Sequence, residues 1–328
     1  MSGSSVPYHL RPNKHVERQL FVELLERIGK FCDFKTYSYI SMGGKFLSDF
    51  RAIHGRLGVQ RMFSFEADAC TYDRQVFNRP FTTIKCFHRK SSDFIEEFST
   101  LCSSDSDKCI VWLDYTSPKD RLQQLHELQS LVSRLTEWSI VKVTMNANPY
   151  AGFKEKGNEG KLPMQLLEEQ INEFFPESKR GIDYKLEEFA GALGLAIKKA
   201  IVDGIEGLPE VNAVPFALFR YTDSLHQMIT CSAILVPVAE KGTFLERSRL
   251  EDCEFYSGVW EKLHEIAVPD LSIKERMLID EMIFDEPIEQ IHARIPFKFD
   301  EKLERSLFAL QQYRLHYQRY PHFMRVIN

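Results

Sequence analysis

The chain has 328 residues, 44% of them hydrophobic and 12% aromatic, which is enough to bury a sizeable core and too apolar for a disordered or fibrous protein. Its formal charge of -5 gives no indication of general affinity for nucleic acid, which leaves a basic excess, although a local basic surface stays open. Cys32, Cys70, Cys86, Cys102, Cys109, Cys231 and Cys253 form no CxxC pair and no zinc-spaced cluster, the opening residues hold no apolar signal core, and no apolar run is long enough to cross a bilayer; a soluble cytoplasmic protein with reduced thiols and no membrane partner is expected.

From residue 15, HVERQLFVELLERIGK puts Val16, Leu20, Phe21, Leu24, Leu25 and Ile28 on one stripe and predicts a core-facing helix to about residue 30. Five strand-like runs follow at 36–42, 61–67, 82–87, 109–115 and 139–147, each separated from the next by a segment with helical spacing. Nearly continuous apolar strands alternating with crossover helices predict an α/β fold with a doubly wound, mostly parallel sheet. The stretch NPYAGFKEKGNEGKLP has no apolar period and reads as an excursion, followed by helices at about 163–174 and 184–201. Runs at 213–221 and 226–238, joined by TDSL, predict an antiparallel strand pair. The last ninety or so residues read as helical, most clearly in LSIKERMLIDEMI and DEKLERSLFALQQYRLHYQRY.

The first strand runs into YISMGGKFLSDF, with Gly43 and Gly44 between strand and helix. A glycine pair there is either a plain tight turn or the place where the backbone comes closest to a ligand, since open parallel sheets bind beyond the carboxyl ends of their strands. Glu66 ends the second strand, as a ribose acceptor or an ordinary helix-start acid. Strand order, glycine turn and acidic strand end together point to an adenosine-type ligand. The turn lacks G-x-G-x-x-G, which disfavours NAD, and lacks G-x-x-x-x-G-K-[ST], which disfavours ATP hydrolysis. S-adenosylmethionine (SAM), which carries no phosphates, asks less of such a loop, whereas Lys45 after the glycines would also suit an anionic group.

Asp114 and Tyr115 end the fourth strand. An acid in the apolar IVWLDY run is expected either to act in catalysis, as base or orienting group, or to be paired in a salt bridge or helix cap. With Asn146 and Asn148 it offers oxygen ligands for Mg²⁺, but only one of the three is a carboxylate. Arg11 and Lys14 precede the first helix, placed to fold over an anionic group or to stand in solvent. YRLHYQRYPHFMRV interleaves tyrosines and arginines, either to stack a base or, as such helices more often do, to pack aromatics inward. His54, His88 and His226 have no nucleophile partner that sequence identifies.

The segments HLRPNKHVERQ, YISMGGKFLSDFRAIHGRLG, MFSFEAD, FNRPF, IVWLDYTSP and VTMNANP resemble the bacterial putative O-methyltransferase family, a Rossmann-like group of class I SAM-dependent methyltransferase type. The resemblance covers most of residues 8–150 and, more loosely, YRLHYQRYPHF. It implies a first cofactor motif at Met42, Gly43 and Gly44, a second at Glu66 and Ala67, and an adenine contact at Ser92 and Asp93, although Ser92 also suits a helix cap. Asp114, with Tyr115 beside it, would then face cofactor and acceptor together, with Arg11 and Lys14 on the substrate. The implied organisation is a methyltransferase domain over 1–240 with an N-terminal helical arm, and a helical extension over 241–328. The acceptor is not legible. The competing reading is a Rossmann-like nucleotide-binding regulatory protein without methyl transfer.

Overall fold

The computed structural model describes residues 11–102, 108–153, 160–180, 186–223 and 226–321. Its centre is an eight-stranded sheet in the order β3-β2-β1-β4-β5-β7-β6-β8. The strands are β1 (Ser38–Ser41), β2 (Arg61–Glu66), β3 (Ile84–His88), β4 (Cys109–Asp114), β5 (Ile140–Asn146), β6 (Val211–Asp223), β7 (His226–Pro237) and β8 (His264–Ile266). β1 to β5 are parallel, and β7 runs antiparallel to β5 with Ile140 opposite Ile234 and Asn146 opposite Met228. β6 and β7 are sheet neighbours with two residues between them, as the short link predicts.

By Cα packing the chain divides into two compact units, one of residues 21–220 and 226–264, the other of residues 1–20, 221–225 and 265–328. In the larger unit the sheet is covered on both faces, which is why its central strands are buried almost end to end; every residue of β5 is buried, Lys142, Thr144 and Asn146 included. Odd-numbered residues of β4, Val111 and Leu113, join a core with Phe94 of α4 (Ser91–Glu96), Leu125 and Leu128 of α6 (Arg121–Val132), and Leu193 and Ile197 of α8 (Phe189–Gly204). The opposite face takes the even residues. Trp112 lies 5.9 Å from Phe21, on α1 (Pro12–Ile28), and Tyr39 of β1 lies 4.9 Å from Phe50 of α2 (Ser48–Leu57). Each such enclosed apolar side chain is worth roughly 1.5–3 kcal/mol against exposure. α3 (Ala69–Asn78) crosses from β2 to β3, α5 (Phe98–Cys102) follows α4, and α7 (Pro163–Ile171) precedes α8.

The smaller unit holds α10 (Ile273–Asp280), α11 (Ile288–Arg294) and α12 (Leu303–His316), while α9 (Lys241–Ser248) belongs to the larger. α10 opens with a capping box between Ser272 and Glu275. Tyrosines at the end of the smaller unit are struts: Tyr313 of α12 donates to Asp280 and accepts from Arg276, and Tyr320 accepts from the Leu271 amide and donates to the Pro269 carbonyl. Arg314 donates to the Glu286 carbonyl. Tyr317 packs 5.2 Å from Phe284, and Arg325 lies outside the described residues. This is the inward-packing arrangement. The helical reading of the last ninety residues needs one correction: β8 is a three-residue strand, too short to carry an alternating pattern. No helix among the described residues is long and apolar enough to cross a membrane.

Candidate functional site

Register alone assembles the site. Ser41, the last residue of β1, pairs with Ser64 on one side and Trp112 on the other, so Glu66 and Asp114 stand two residues beyond that row, level with the start of the Gly43–Gly44 turn. β1 and β4 flank the point at which strand order reverses, the crevice where open α/β sheets take ligands. Met42, Gly43, Gly44, Glu66 and Asp114 are thus brought to one edge by three neighbouring strands.

Both glycines have positive φ, +65° at Gly43 and +53° at Gly44, a conformation L side chains rarely adopt. A Cβ on Gly43 would lie 2.5 Å from a Leu47 methyl and 2.9 Å from Ser64 Oγ, so that glycine is required by the protein's own packing. The turn leads into α2 through Leu47, itself left-handed at φ 49°. Glu66 is partly buried, and its Oε1 accepts the Asp68 amide at 3.0 Å. Burial pushes its carboxyl above the ordinary range, against the opposing effect of that amide. Ala67 is exposed, and its carbonyl lies 3.0 Å from His88 Nε2, whose ring stacks on Tyr72. Ser92, in the first turn of α4, donates to Asp93 at 3.1 Å.

Asp114 and Tyr115, consecutive on an extended strand, point to opposite faces. Tyr115 is enclosed, its hydroxyl donates to Glu127 of α6 at 2.6 Å, and burial holds its pKa well above the usual value, so it keeps its proton at neutral pH. Asp114 is partly exposed at the strand's end, opposite Thr144. Asn146 and Asn148 spend their side-chain oxygens on the amides of Asn148 and Tyr150, both at 3.0 Å. Among the described residues no three His, Cys, Asp or Glu gather as a metal cluster.

Arg11 and Lys14 lie in the smaller unit, where Asp223 sits 2.8 Å from the Arg11 guanidinium and 3.7 Å from Lys14 Nζ, all three nearly enclosed.

Two contributors escape the sequence. Arg121, the first residue of α6, is fully buried and donates to the carbonyls of Asn146 (2.9 Å), Asn148 (3.1 Å) and Ala151 (3.2 Å) and to Gln170 (2.9 Å), between the rings of Phe153 and Phe189. Burial lowers its pKa to about 10, which still leaves a cation at neutral pH. Gln170 passes the link on to the carbonyls of Pro118 and Lys119, and a Cβ on Gly152 would meet the Pro118 carbonyl at 2.4 Å. The loops after β4 and β5 are therefore locked together. Gln75 of α3 is the other, bonded to the Met42 carbonyl at 2.7 Å. A helix-start arginine or a mid-helix glutamine is normally solvated, so neither carries a sequence signal.

The edge fits an adenosyl ligand in chemistry: a turn held open by two left-handed glycines, and a carboxyl two residues past each neighbouring strand's pairing row.

A family model described as "Putative O-methyltransferase" matches residues 6–328. No curated protein matches the chain. Among solved structures it is similar to a SAM-dependent methyltransferase from Anabaena variabilis ATCC 29413, at 10% identity over 70% of this chain and 88% of that one, with a TM-score of 0.39. It is also similar to the O-methyltransferase TomG from Streptomyces achromogenes, involved in tomaymycin synthesis and solved with SAM, at 9% identity over 66% and 80% with a TM-score of 0.37. The fibrillarin pre-rRNA processing protein of Methanococcus jannaschii follows at 10% identity over 63% and 70%, with a TM-score of 0.37.

Proposed function

Because the chain belongs to the putative O-methyltransferase family, we propose that it transfers a methyl group from SAM to an acceptor, with the edge around Gly43, Glu66 and Asp114 as its site. The observation that carries this reading is the common level of those three residues at the reversal of strand order. Bound there, SAM supplies an activated methyl on a sulfonium.

The chain's own residues have simple tasks. The Met42–Gly44 turn brings main chain close to the ligand. Glu66 accepts ribose hydroxyls with a carboxylate that ligand hydrogen bonds stabilise. Ala67, Ser92 and Asp93 border the adenine end. Asp114, on the face opposite Tyr115, orients the acceptor or the cofactor ammonium and takes a proton where the acceptor loses one. Tyr115 acts as a strut, its hydroxyl committed to Glu127. Arg11 and Lys14, paired with Asp223, would serve a substrate only by leaving that carboxylate. Mg²⁺ has little to recommend it while both asparagine oxygens hold backbone amides. Among the described residues the cysteines form no disulfide, in keeping with a cytoplasmic location.

Calorimetric titration with SAM, S-adenosylhomocysteine (SAH), NAD and ATP tests the reading. Binding of SAM and SAH with rejection of the other two is expected; tight ATP binding without SAM affinity overturns it.

A further inference from the structure

A helix flanking a sheet ordinarily buries an apolar stripe, yet the buried side chain of α3 is Gln75, fully enclosed, while Phe77 on the same helix is 89% exposed. An enclosed amide is costly unless its atoms are bonded. Gln75 Nε2 donates to the Met42 carbonyl at 2.7 Å, and Oε1 accepts from Ser64 Oγ at 3.0 Å. On the same face of α3, three residues on, Asn78 Nδ2 donates to the Lys45 carbonyl at 2.9 Å. The two carbonyls so held bracket Gly43 and Gly44.

In a trans peptide the C=O and N–H point in opposite directions. Turning the Met42 and Lys45 carbonyls toward α3 therefore directs the N–H groups of Gly43 and Phe46 away from it. Glycines have many conformations open to them, so an unrestrained pair would hold that arrangement only part of the time. Restraint at both ends removes the freedom before any ligand arrives.

We propose that α3 is the template of the ligand turn: Gln75 and Asn78 are positioning residues that fix the carbonyls on either side of the glycine pair, so that the N–H groups of Gly43 and Phe46 face the ligand while the Gly44 amide closes the turn on the Met42 carbonyl. This rests on the cofactor reading of the same turn. It explains why α3 invests its enclosed position in a polar side chain.

The test compares wild type, Gln75→Glu and Asn78→Ala by calorimetry with SAH, at about pH 5.5 and about pH 8.5, with the thermal midpoint measured on the same samples. A protonated glutamic acid keeps the shape of glutamine and can still donate to Met42; an ionised one sets oxygen against oxygen. Expressed relative to wild type, so that pH effects common to both proteins cancel, SAH affinity of Gln75→Glu should fall about tenfold or more from the lower to the higher pH, and Asn78→Ala should weaken binding about fivefold at both. Wild-type affinity in both folded variants overturns the proposal, as does a lowered midpoint with affinity kept. If wild type takes no SAH, the cofactor reading fails and the clamp is judged by hydrogen exchange of amides 43–46: faster exchange in Gln75→Leu supports it, unchanged exchange overturns it.

Discussion

Tyr115 donates its hydroxyl to Glu127 at 2.6 Å, away from the face on which its neighbour Asp114 stands. The two adjacent residues therefore answer differently to substitution. Asp114→Asn should leave SAM bound and abolish turnover, because shape survives and charge does not. Tyr115→Phe should keep turnover and lose about 1–3 kcal/mol of stability, since Glu127 loses a buried donor. Methyl transfer from labelled SAM into a cell extract, with urea denaturation alongside, separates the two.

Glu66→Ala should weaken SAM by about 1.5–3 kcal/mol and erase discrimination against 2′-deoxy analogues. Since its carboxyl is raised by burial, the sign of two pH effects follows. Ligand affinity should drop as acid protonates it, starting above the ordinary glutamate range, whereas its contribution to folding is greatest when protonated and is lost as pH rises through the raised value. An affinity profile flat from neutral to mildly acid pH would remove Glu66 from the site.

Arg121→Met should cost about 3 kcal/mol or more, because three carbonyls and the Gln170 oxygen lose their donor inside the protein. Arg121→Lys should recover little, since one ammonium cannot span oxygens arranged around a planar fork. Denaturation midpoints read both.

Gly43→Ala should destabilise the fold itself by about 1–3 kcal/mol, through contact with Leu47, Phe50 and Ser64 as well as positive φ. A thermal midpoint unchanged from wild type would show that the turn can relax without strain.

In the smaller unit, Asp223→Asn should destabilise by about 3–5 kcal/mol by leaving Arg11 and Lys14 enclosed beside a neutral amide. Asp223→Asn with undiminished resistance to proteolysis would mean that the ion pair adds little.

The parallel sheet was legible because strands covered on both faces are rich in apolar and β-branched residues, as CIVWL and the Ile140, Val141, Val143 and Met145 of IVKVTMN are. The level of Gly43, Glu66 and Asp114 was legible because strand ends are marked by where apolar runs stop. β8 was not, having three residues and no alternation. Nor were Gln75 and Arg121: the partners of Arg121 lie 25 to 49 residues ahead and those of Gln75 lie 11 and 33 residues back, and nothing local distinguishes an enclosed polar side chain from a solvated one. Tyr115 is a different case: expected from its position beside Asp114 to border the reaction, it has its hydroxyl bonded to Glu127 of the neighbouring helix, a partner 12 residues on that no local pattern marks.

The antiparallel pairing of β5 with β7 also has a consequence during synthesis. Ile140 to Asn146 emerge from the ribosome long before their partners Ile234 to Met228, so until then a strand with one apolar face, Val141, Val143 and Met145, presents an open row of amides and carbonyls. Chain closure over that distance is slow compared with forming the helices between. A nascent or truncated chain ending before residue 226 is accordingly the form most prone to edge-to-edge aggregation, and β7 serves the completed molecule as the cover that ends this exposure.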